Sequence, residues 1–203
     1  AGSASYRFIQ TYGEHNIEDE IDVFSLEPYP FYNRVMLPEY INEEMTWEEL
    51  QKVKEGELDK LQVKLHASCS ITNINREEKT IVDSNGKTHD YDILIIATGS
   101  RAFVPKEFKL DMPGAFTMRT KRDADALKNH LTKTGLPENE QHVTIVGGGL
   151  LGLELAASLS KIDIKSSIIQ RANRLMERQL DNIASRLLAE DVIERGINIY
   201  FDN

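Results

Sequence analysis

The sequence predicts an α/β fold in which strands of a parallel sheet alternate with helices. Within residues 143–170, an apolar strand, a glycine-rich turn, a helix and a second strand follow one another, which is the order of a βαβ unit. Residues 93–97 form another apolar run without polar interruptions, as is typical of a strand covered on both faces of a parallel sheet. At about 150 residues per domain, the 203 residues predict one or two domains.

The composition excludes several classes of protein. A single cysteine rules out an internal disulfide, a zinc finger and a paired-cysteine redox centre. We expect this cysteine, Cys69, to be a small apolar residue buried in the core. The formal net charge of −9 argues against nucleic acid or an anionic membrane as a partner. No apolar run reaches the about 18 residues of a membrane helix, and no basic-then-apolar leader is present. We therefore expect an acidic protein of the cytoplasm.

The first part of the chain predicts a helix, a strand and a small antiparallel insertion. A helix is expected to begin near Tyr6, and residues 21–26 alternate in polarity as a strand that ends at Pro28, because proline cannot donate to a ladder. Thr46 opens a capping-box pattern that predicts a helix to Lys54. Short strands are expected at residues 61–65, 69–75 and 80–82, and Asn85-Gly86 predicts a hairpin turn.

The second part predicts the βαβ unit in full. After the strand at 93–97, the expected elements are a helix at 122–132, a linker at 135–139, a strand at 143–146, a glycine turn at 147–152, a helix at 153–161, a strand at 165–170, a helix at 181–195 and a strand at 197–200.

The glycine turn carries the clearest chemical signal. Gly147, Gly149 and Gly152 stand at the spacing G-x-G-x-x-G between a strand and a helix. The first glycine permits the tight turn, the second lets the backbone approach a pyrophosphate, and the third lets the helix pack close to the strand. The helix N-terminus adds free N–H groups and partial positive charge. The pattern predicts a dinucleotide site, and a glycine turn without a ligand is the alternative.

The end of the next strand leaves the choice of dinucleotide open. An acid that binds the adenosine ribose is usual there, but Gln170 occupies the position and Arg171 follows it. Glutamine can still hydrogen-bond a ribose, and arginine can pair with a 2′-phosphate. A solvated surface charge is the alternative reading of Arg171.

A second, incomplete glycine turn opens the chain. Gly2 to Ser5 fits the tail of a G-x-G-x-x-G/A/S pattern, and Glu27 stands where the ribose-binding acid belongs. Residues 91–99, YDILIIATG, resemble a segment of flavoproteins that bind two dinucleotides, and the glycine turn follows about fifty residues later. The chain is therefore identified as similar to the FAD-dependent pyridine nucleotide-disulfide oxidoreductase family.

Four further segments resemble, within this family, the large-subunit type of NAD(P)H-dependent nitrite reductase most, with rubredoxin and ferredoxin reductases next. They are YRFI at 6–9, EPYPFYNRV at 27–35, FTMRT at 116–120 and QLD at 179–181.

The resemblance implies two Rossmann-like domains, which we expect at 1–137 for FAD and at 138–203 for NAD(P)H, both incomplete in a fragment of a longer protein. Hydride would pass from the nicotinamide to the flavin and onward to an electron acceptor, with a homodimer as one expected assembly. The implied FAD contacts are Gly2, Ser5, Glu27, Arg34, Thr98, Gly99 and Arg101. The implied NAD(P)H contacts are Gly147, Gly149, Gly152, Glu154, Gln170 and Arg171, with a solvated first-turn acid as the alternative for Glu154.

Two departures from the family pattern bear on mechanism. Residues 34–50 contain no cysteine, so the dithiol chemistry of the disulfide-reducing members is excluded. Glu39 lies where rubredoxin-reductase-like members carry a lysine, so no lysine is expected at the flavin. A dinucleotide-binding sensor or scaffold without redox turnover is the alternative function.

Overall fold

Residues 1–15, 18–106 and 108–201 are described by a computed structural model. The helices are α1 Ser3–Gly13, α2 Leu37–Ile41, α3 Trp47–Leu50, α4 Glu57–Lys60, α5 Lys121–Lys133, α6 Leu150–Ser160 and α7 Asn182–Glu194. The strands are β1 Ile21–Phe24, β2 Val63–His66, β3 Ile71–Asn75, β4 Thr80–Asp83, β5 Thr88–Asp90, β6 His142–Val146, β7 Lys165–Gln170 and β8 Asn198–Phe201. The predicted α/β class, with parallel sheets and a small antiparallel sheet, is confirmed.

The chain divides into two units. The first comprises Ala1–Asn33 and Trp47–Arg101, and the second comprises Arg34–Thr46 and Ala102–Asn203. These units are set by packing, whereas the domains expected at 1–137 and 138–203 were assigned by cofactor, so that assignment stays a prediction.

The first unit combines a short parallel sheet with an antiparallel meander. β1 pairs in parallel with β2, and β3, β4 and β5 pair in sequence order. Its core contains three buried side chains: Ile9 of α1, Val63 of β2 and Phe31, which lies in the loop after β1. The predicted hairpin turn is present between β4 and β5, where Gly86 takes a positive φ of 81° that suits glycine. Cys69 is 5% exposed, as expected of a small buried residue.

The strand expected at 93–97 is a wrong prediction. These residues adopt no regular structure, and Ile93 and Ile96 are 79% and 69% exposed. A strand exists only through hydrogen bonds to a neighbouring strand, and none of the described strands pairs with this segment. The apolar residues of this run favour burial, but Ile93 and Ile96 are exposed because no described strand pairs with the segment.

The second unit is the predicted βαβ arrangement. β6, β7 and β8 form a parallel sheet in sequence order, with Ile145 opposite Ile168 and Ile169 opposite Tyr200. α6 packs against β6 and β7, and its side chains Ala156 and Leu159 have no exposed surface. Asp181 caps α7, since its side chain accepts a hydrogen bond from the Ala184 N–H at 2.8 Å.

Helix α2 belongs to this second unit although it lies far away in sequence. It packs against both α5 and α6. The Ser158 hydroxyl on α6 donates to the carbonyl oxygen of Pro38, and the Tyr40 hydroxyl donates to Asp125 on α5 at 2.8 Å. Lys128 lies over the Tyr40 ring at 4.7 Å. These contacts hold α2 against α5 and against α6, the helix that begins at the glycine turn.

Candidate dinucleotide site

The glycine turn joins the end of β6 to the start of α6. Gly147 has a φ of +117°, a conformation that disfavours any side chain, and its N–H donates to the Ile169 carbonyl oxygen of β7 at 2.8 Å. Gly149 is the N-cap of α6 with extended backbone, φ −88° and ψ −177°. The turn therefore leads directly from the sheet edge into a helix N-terminus.

The three motif glycines differ in what a side chain would meet. A Cβ on Gly152 would clash with the Gly147 carbonyl oxygen and would lie 3.2 Å from the Ile145 side chain. A Cβ on Gly149 would meet no atom within 4 Å. Gly152 thus serves the packing of helix on strand, whereas Gly149 leaves open space in front of the backbone. The packing at Gly152 agrees with the role that the spacing predicted, and the approach of a pyrophosphate to Gly149 stays a prediction.

The open space lies at the positive end of α6. The first helical hydrogen bond runs from the Leu153 N–H to the Gly149 carbonyl oxygen at 3.1 Å. The N–H groups before Leu153 have no acceptor within the helix, and the helix dipole adds partial positive charge there. Such an end binds anions, and a dinucleotide pyrophosphate fits both the charge and the missing side chain.

Gln170 holds the turn in place. Its side chain is 9% exposed, and its Oε1 accepts a hydrogen bond from the Gly148 N–H at 2.8 Å. The Gly148 carbonyl oxygen accepts from the Met176 N–H at 2.9 Å, so one hydrogen bond ties the turn to the last residue of β7 and another ties it to the segment that follows. Arg171 follows Gln170 and is exposed. The structure therefore brings together the glycine turn and Gln170, and their roles toward a ligand stay predictions.

Glu154 lies one turn into α6 and is paired with an unexpected neighbour. Burial raises its pKa, and the negative charge of Glu39 on α2 raises it further. Sequence reasoning assigned Glu39 no role. The signal that could have identified it is its place between the apolar residues Leu37, Pro38 and Ile41, which are buried and direct the helix toward the core.

The residues predicted for FAD have a weaker arrangement. Gly2 is the N-cap of α1, and a Cβ there would meet no atom within 4 Å. The Ser5 hydroxyl accepts from the Gly2 N–H and donates to the Gly2 carbonyl oxygen, both at 3.0 Å. The Glu27 carboxylate follows β1 and accepts from the Tyr32 hydroxyl at 2.7 Å. These residues share the first unit, where Gly2 provides open space at a second helix N-terminus.

The other predicted FAD contacts lie outside regular strands. Thr98, Gly99 and Arg101 are exposed in an irregular segment of the first unit, and Gly99 has a φ of +70°. Arg34 lies in a 3-10 turn of the second unit. The roles of these four residues toward a flavin stay predictions.

Over residues 1–15, 18–106 and 108–201, no cluster of three or more His, Cys, Asp or Glu side chains is suited to a metal ion. Within the same ranges, every helix is too short or too polar to cross a bilayer.

Comparison with known proteins places this geometry. Residues 1–203 match the family model of pyridine nucleotide-disulphide oxidoreductases. The NADH nitrite reductase large subunit of Escherichia coli (strain K12) is 34% identical over 201 residues, which cover 98% of this chain and 23% of that protein. The assimilatory nitrate reductase electron transfer subunit of Bacillus subtilis (strain 168) is 29% identical over 183 residues, 90% of this chain and 23% of that protein. This chain thus spans about a quarter of these relatives.

Solved structures agree on the fold. The NADH:rubredoxin oxidoreductase of Clostridium acetobutylicum has a TM-score of 0.82 and 27% identity, and the match covers 100% of this chain and 51% of that one. A ferredoxin reductase of Rhodopseudomonas palustris has a TM-score of 0.89 and 21% identity, with 100% and 48% covered. Together with the match over all 203 residues, this shows that the chain belongs to the pyridine nucleotide-disulphide oxidoreductase family.

Proposed function

We propose that this chain is part of a FAD-dependent NAD(P)H oxidoreductase that passes reducing equivalents from the nicotinamide through the flavin to an electron acceptor. FAD and NAD(P)H are the cofactors of the family. The observation that carries the proposal is the open space at Gly149 in front of the N-terminus of α6. The proposal assigns residues 138–203 to NAD(P)H and residues 1–137 to FAD, and it includes a location in the cytoplasm.

The residues of the second unit would bind and orient the nicotinamide dinucleotide. When bound, NAD(P)H supplies a hydride and FAD accepts it. The N–H groups at Gly149 and at the start of α6 would hold the pyrophosphate, and Gln170 would keep the turn open by its hydrogen bond to Gly148. Glu154 is assigned to the nicotinamide end, where its ionisation sets the local charge.

The residues of the first unit would hold the flavin nucleotide. The main-chain N–H groups after Gly2 would bind phosphate, since the Ser5 hydroxyl is already used by the helix cap. Tyr32 orients the carboxylate of Glu27, which would accept hydrogen bonds from ribose hydroxyls. Arg34, Thr98, Gly99 and Arg101 are the remaining proposed flavin contacts.

The electron acceptor is the finer part of the proposal. The nitrite reductase and electron-transfer subunit relatives favour the reductase module of a nitrite-reducing system, with a downstream acceptor domain or protein as the partner. A rubredoxin or ferredoxin reductase is the alternative, which the solved relatives support. A homodimer is compatible with either.

The test uses the intact protein that contains this chain. We expect it to be purified with bound flavin, and we expect anaerobic NADH or NADPH to bleach the flavin absorbance. Nitrite, rubredoxin and ferredoxin are then compared as oxidants of the reduced protein. Bleaching followed by reoxidation with nitrite supports the nitrite-reducing assignment, and reoxidation by the iron–sulfur or iron proteins alone supports the alternative.

A sensor without redox turnover is the second candidate. Its specific support is the neutral Gln170, which stands where a ribose-binding acid is usual, and Glu39, which stands where some members of the family carry a lysine. Calorimetric binding of a dinucleotide to an intact protein that shows no flavin reduction would favour the sensor over the enzyme.

A further inference from the structure

We propose that Gln170 and Arg171 make this site selective for the 2′-phosphorylated dinucleotide, NADPH, over NADH. This inference rests on the proposed function, because it assumes that the glycine turn binds a nicotinamide dinucleotide. It goes further in naming the substrate and the two side chains that select it.

A hydrogen bond to the glycine turn fixes the orientation of the Gln170 amide. Its Oε1 is occupied by the Gly148 N–H at 2.8 Å, and the side chain is held at 9% exposure. The remaining polar group is the amide Nε2, which is a donor only. At the position where a carboxylate would accept from the 2′-hydroxyl and repel a 2′-phosphate, the chain therefore presents an N–H donor, which suits phosphate oxygens.

Arg171 supplies the charge. It is exposed, and it forms neither a hydrogen bond nor an ion pair with any residue in the described part of the chain. A guanidinium without an internal partner is available for a bidentate pair with a phosphate. Its position directly after Gln170, at the carboxyl end of β7, is where the adenosine ribose of a dinucleotide lies when the pyrophosphate is on α6.

The segment that follows β7 carries a net positive charge, which favours a phosphate group. Residues 170–180 carry the arginines Arg171, Arg174 and Arg178 against the single acid Glu177, although the whole chain has a formal charge of −9. Arg174 is engaged locally, because its NH2 donates to the Glu177 carbonyl oxygen at 3.0 Å. Arg171 is the arginine of this segment that directly follows the end of β7, next to Gln170.

Binding of NADPH and NADH to the intact protein, measured by calorimetry, is the direct test. We expect NADPH to bind at least about 10-fold more tightly than NADH, since a charge-assisted contact contributes that much. The probes 2′,5′-ADP and 5′-AMP should show the same order, which isolates the ribose end from the nicotinamide.

Two variants separate the roles of the side chains. Arg171→Ala should weaken NADPH about 10-fold or more and leave NADH within about 2-fold. Gln170→Glu keeps an acceptor for the Gly148 N–H and places a carboxylate at the ribose, so it should reverse the preference toward NADH. Arg195→Ala is the matched control, because this exposed arginine pairs with Asp191 at the end of α7.

Equal affinity of the unaltered protein for NADPH and NADH, or an Arg171→Ala variant that weakens both alike, would overturn the selectivity while leaving dinucleotide binding intact. If neither dinucleotide nor either probe binds, the proposed function itself fails, and the inference fails with it.

Discussion

Glu39 and Glu154 each place a carboxyl oxygen, Oε2, in the protein interior with no hydrogen-bond partner among the described residues. The two side chains interact, because the charge of Glu39 adds to the effect of burial in raising the pKa of Glu154. Three lysines on or next to α5 and α6 have other carboxylate partners: Lys121 with Asp125 at 2.6 Å, Lys128 with Glu43 at 3.1 Å and Lys161 with Glu44 at 2.8 Å. Neither Glu39 nor Glu154 forms an ion pair with another described residue.

Glu39→Gln should lower the pKa of Glu154 toward its ordinary value of 4.5, because the repulsion disappears while burial remains. Since the folded-state pKa of Glu154 lies above its unfolded value, its ionisation costs stability as the pH rises from about 4.5 through the folded pKa. The variant should therefore reduce the pH range over which ionisation of Glu154 lowers stability. Infrared titration of the protonated carboxyl band, assigned with Glu154→Gln, measures the shift. Glu43→Gln, two residues after the end of α2, is the control, and a titration unchanged by Glu39→Gln would contradict the coupling.

Asp83 should control the acid stability of the β4–β5 hairpin. Its carboxylate accepts from the Asn85 and Lys87 N–H groups at 2.8 and 3.0 Å and pairs with His89 at 3.0 Å. The bond from His89 is the largest cause that lowers the Asp83 pKa to about 2. Because this folded pKa is below the ordinary 3.8, the stabilisation is complete above pH 3.8 and is lost as the pH falls through about 2.

Asp83→Asn should therefore destabilise the hairpin at neutral pH and flatten its pH dependence between about 4 and 2. Hydrogen exchange of residues 80–90, corrected for intrinsic rates at each pH, follows this segment alone. Asp90→Asn, on the exposed end of β5, should leave the profile unchanged. An Asp83→Asn profile that superimposes on that of the unaltered protein would argue against the carboxylate as the source.

Ser158→Ala should loosen α2 from α6. The Ser158 hydroxyl is buried and donates to the Pro38 carbonyl oxygen, and its removal leaves that oxygen without this donor. We expect a loss of about 1–2 kcal/mol in the free energy of unfolding of the intact protein. Ser160→Ala on the exposed side of the same helix corrects for the better helix propensity of alanine. Equal unfolding midpoints in urea for the two variants would show that the bond contributes nothing.

The parts of the fold that depend on local chemistry could be predicted from the sequence. The glycine spacing placed the turn between β6 and α6, and Asn85-Gly86 placed the β4–β5 hairpin, because both need backbone conformations that few residues adopt. The strand at 93–97 could not be decided this way, since pairing depends on which strand lies beside it. The helix expected from Thr46 to Lys54 is shorter, Trp47–Leu50, because helix ends are set by packing as much as by caps.

The candidate site was predictable in part for the same reason. Gly149 and Gly152 act through their missing side chains, which a motif can express. The bond from Gly148 to Gln170 and the pairing of Glu39 with Glu154 join residues 22 and 115 positions apart. Only the folded chain brings such pairs together.

Gly152→Ala should damage the fold itself. The added Cβ would meet the Gly147 carbonyl oxygen and the Ile145 side chain, so α6 must move away from β6. Overpacking of this kind costs about 1–3 kcal/mol or more. We expect a lower thermal midpoint together with weaker dinucleotide binding, and a midpoint equal to that of the unaltered protein would show that the close helix–strand contact is not required.

Gly149→Ala is the most direct test of the dinucleotide site, because its Cβ would enter open space and its backbone conformation is one that alanine adopts. The measurement is the affinity of the intact protein for NADPH and NADH, beside its thermal midpoint. We predict that affinity for both falls at least about 10-fold while stability changes by less than about 1 kcal/mol. Unchanged affinity in a stable Gly149→Ala protein would contradict the account, because the space in front of α6 would then not be where a pyrophosphate binds.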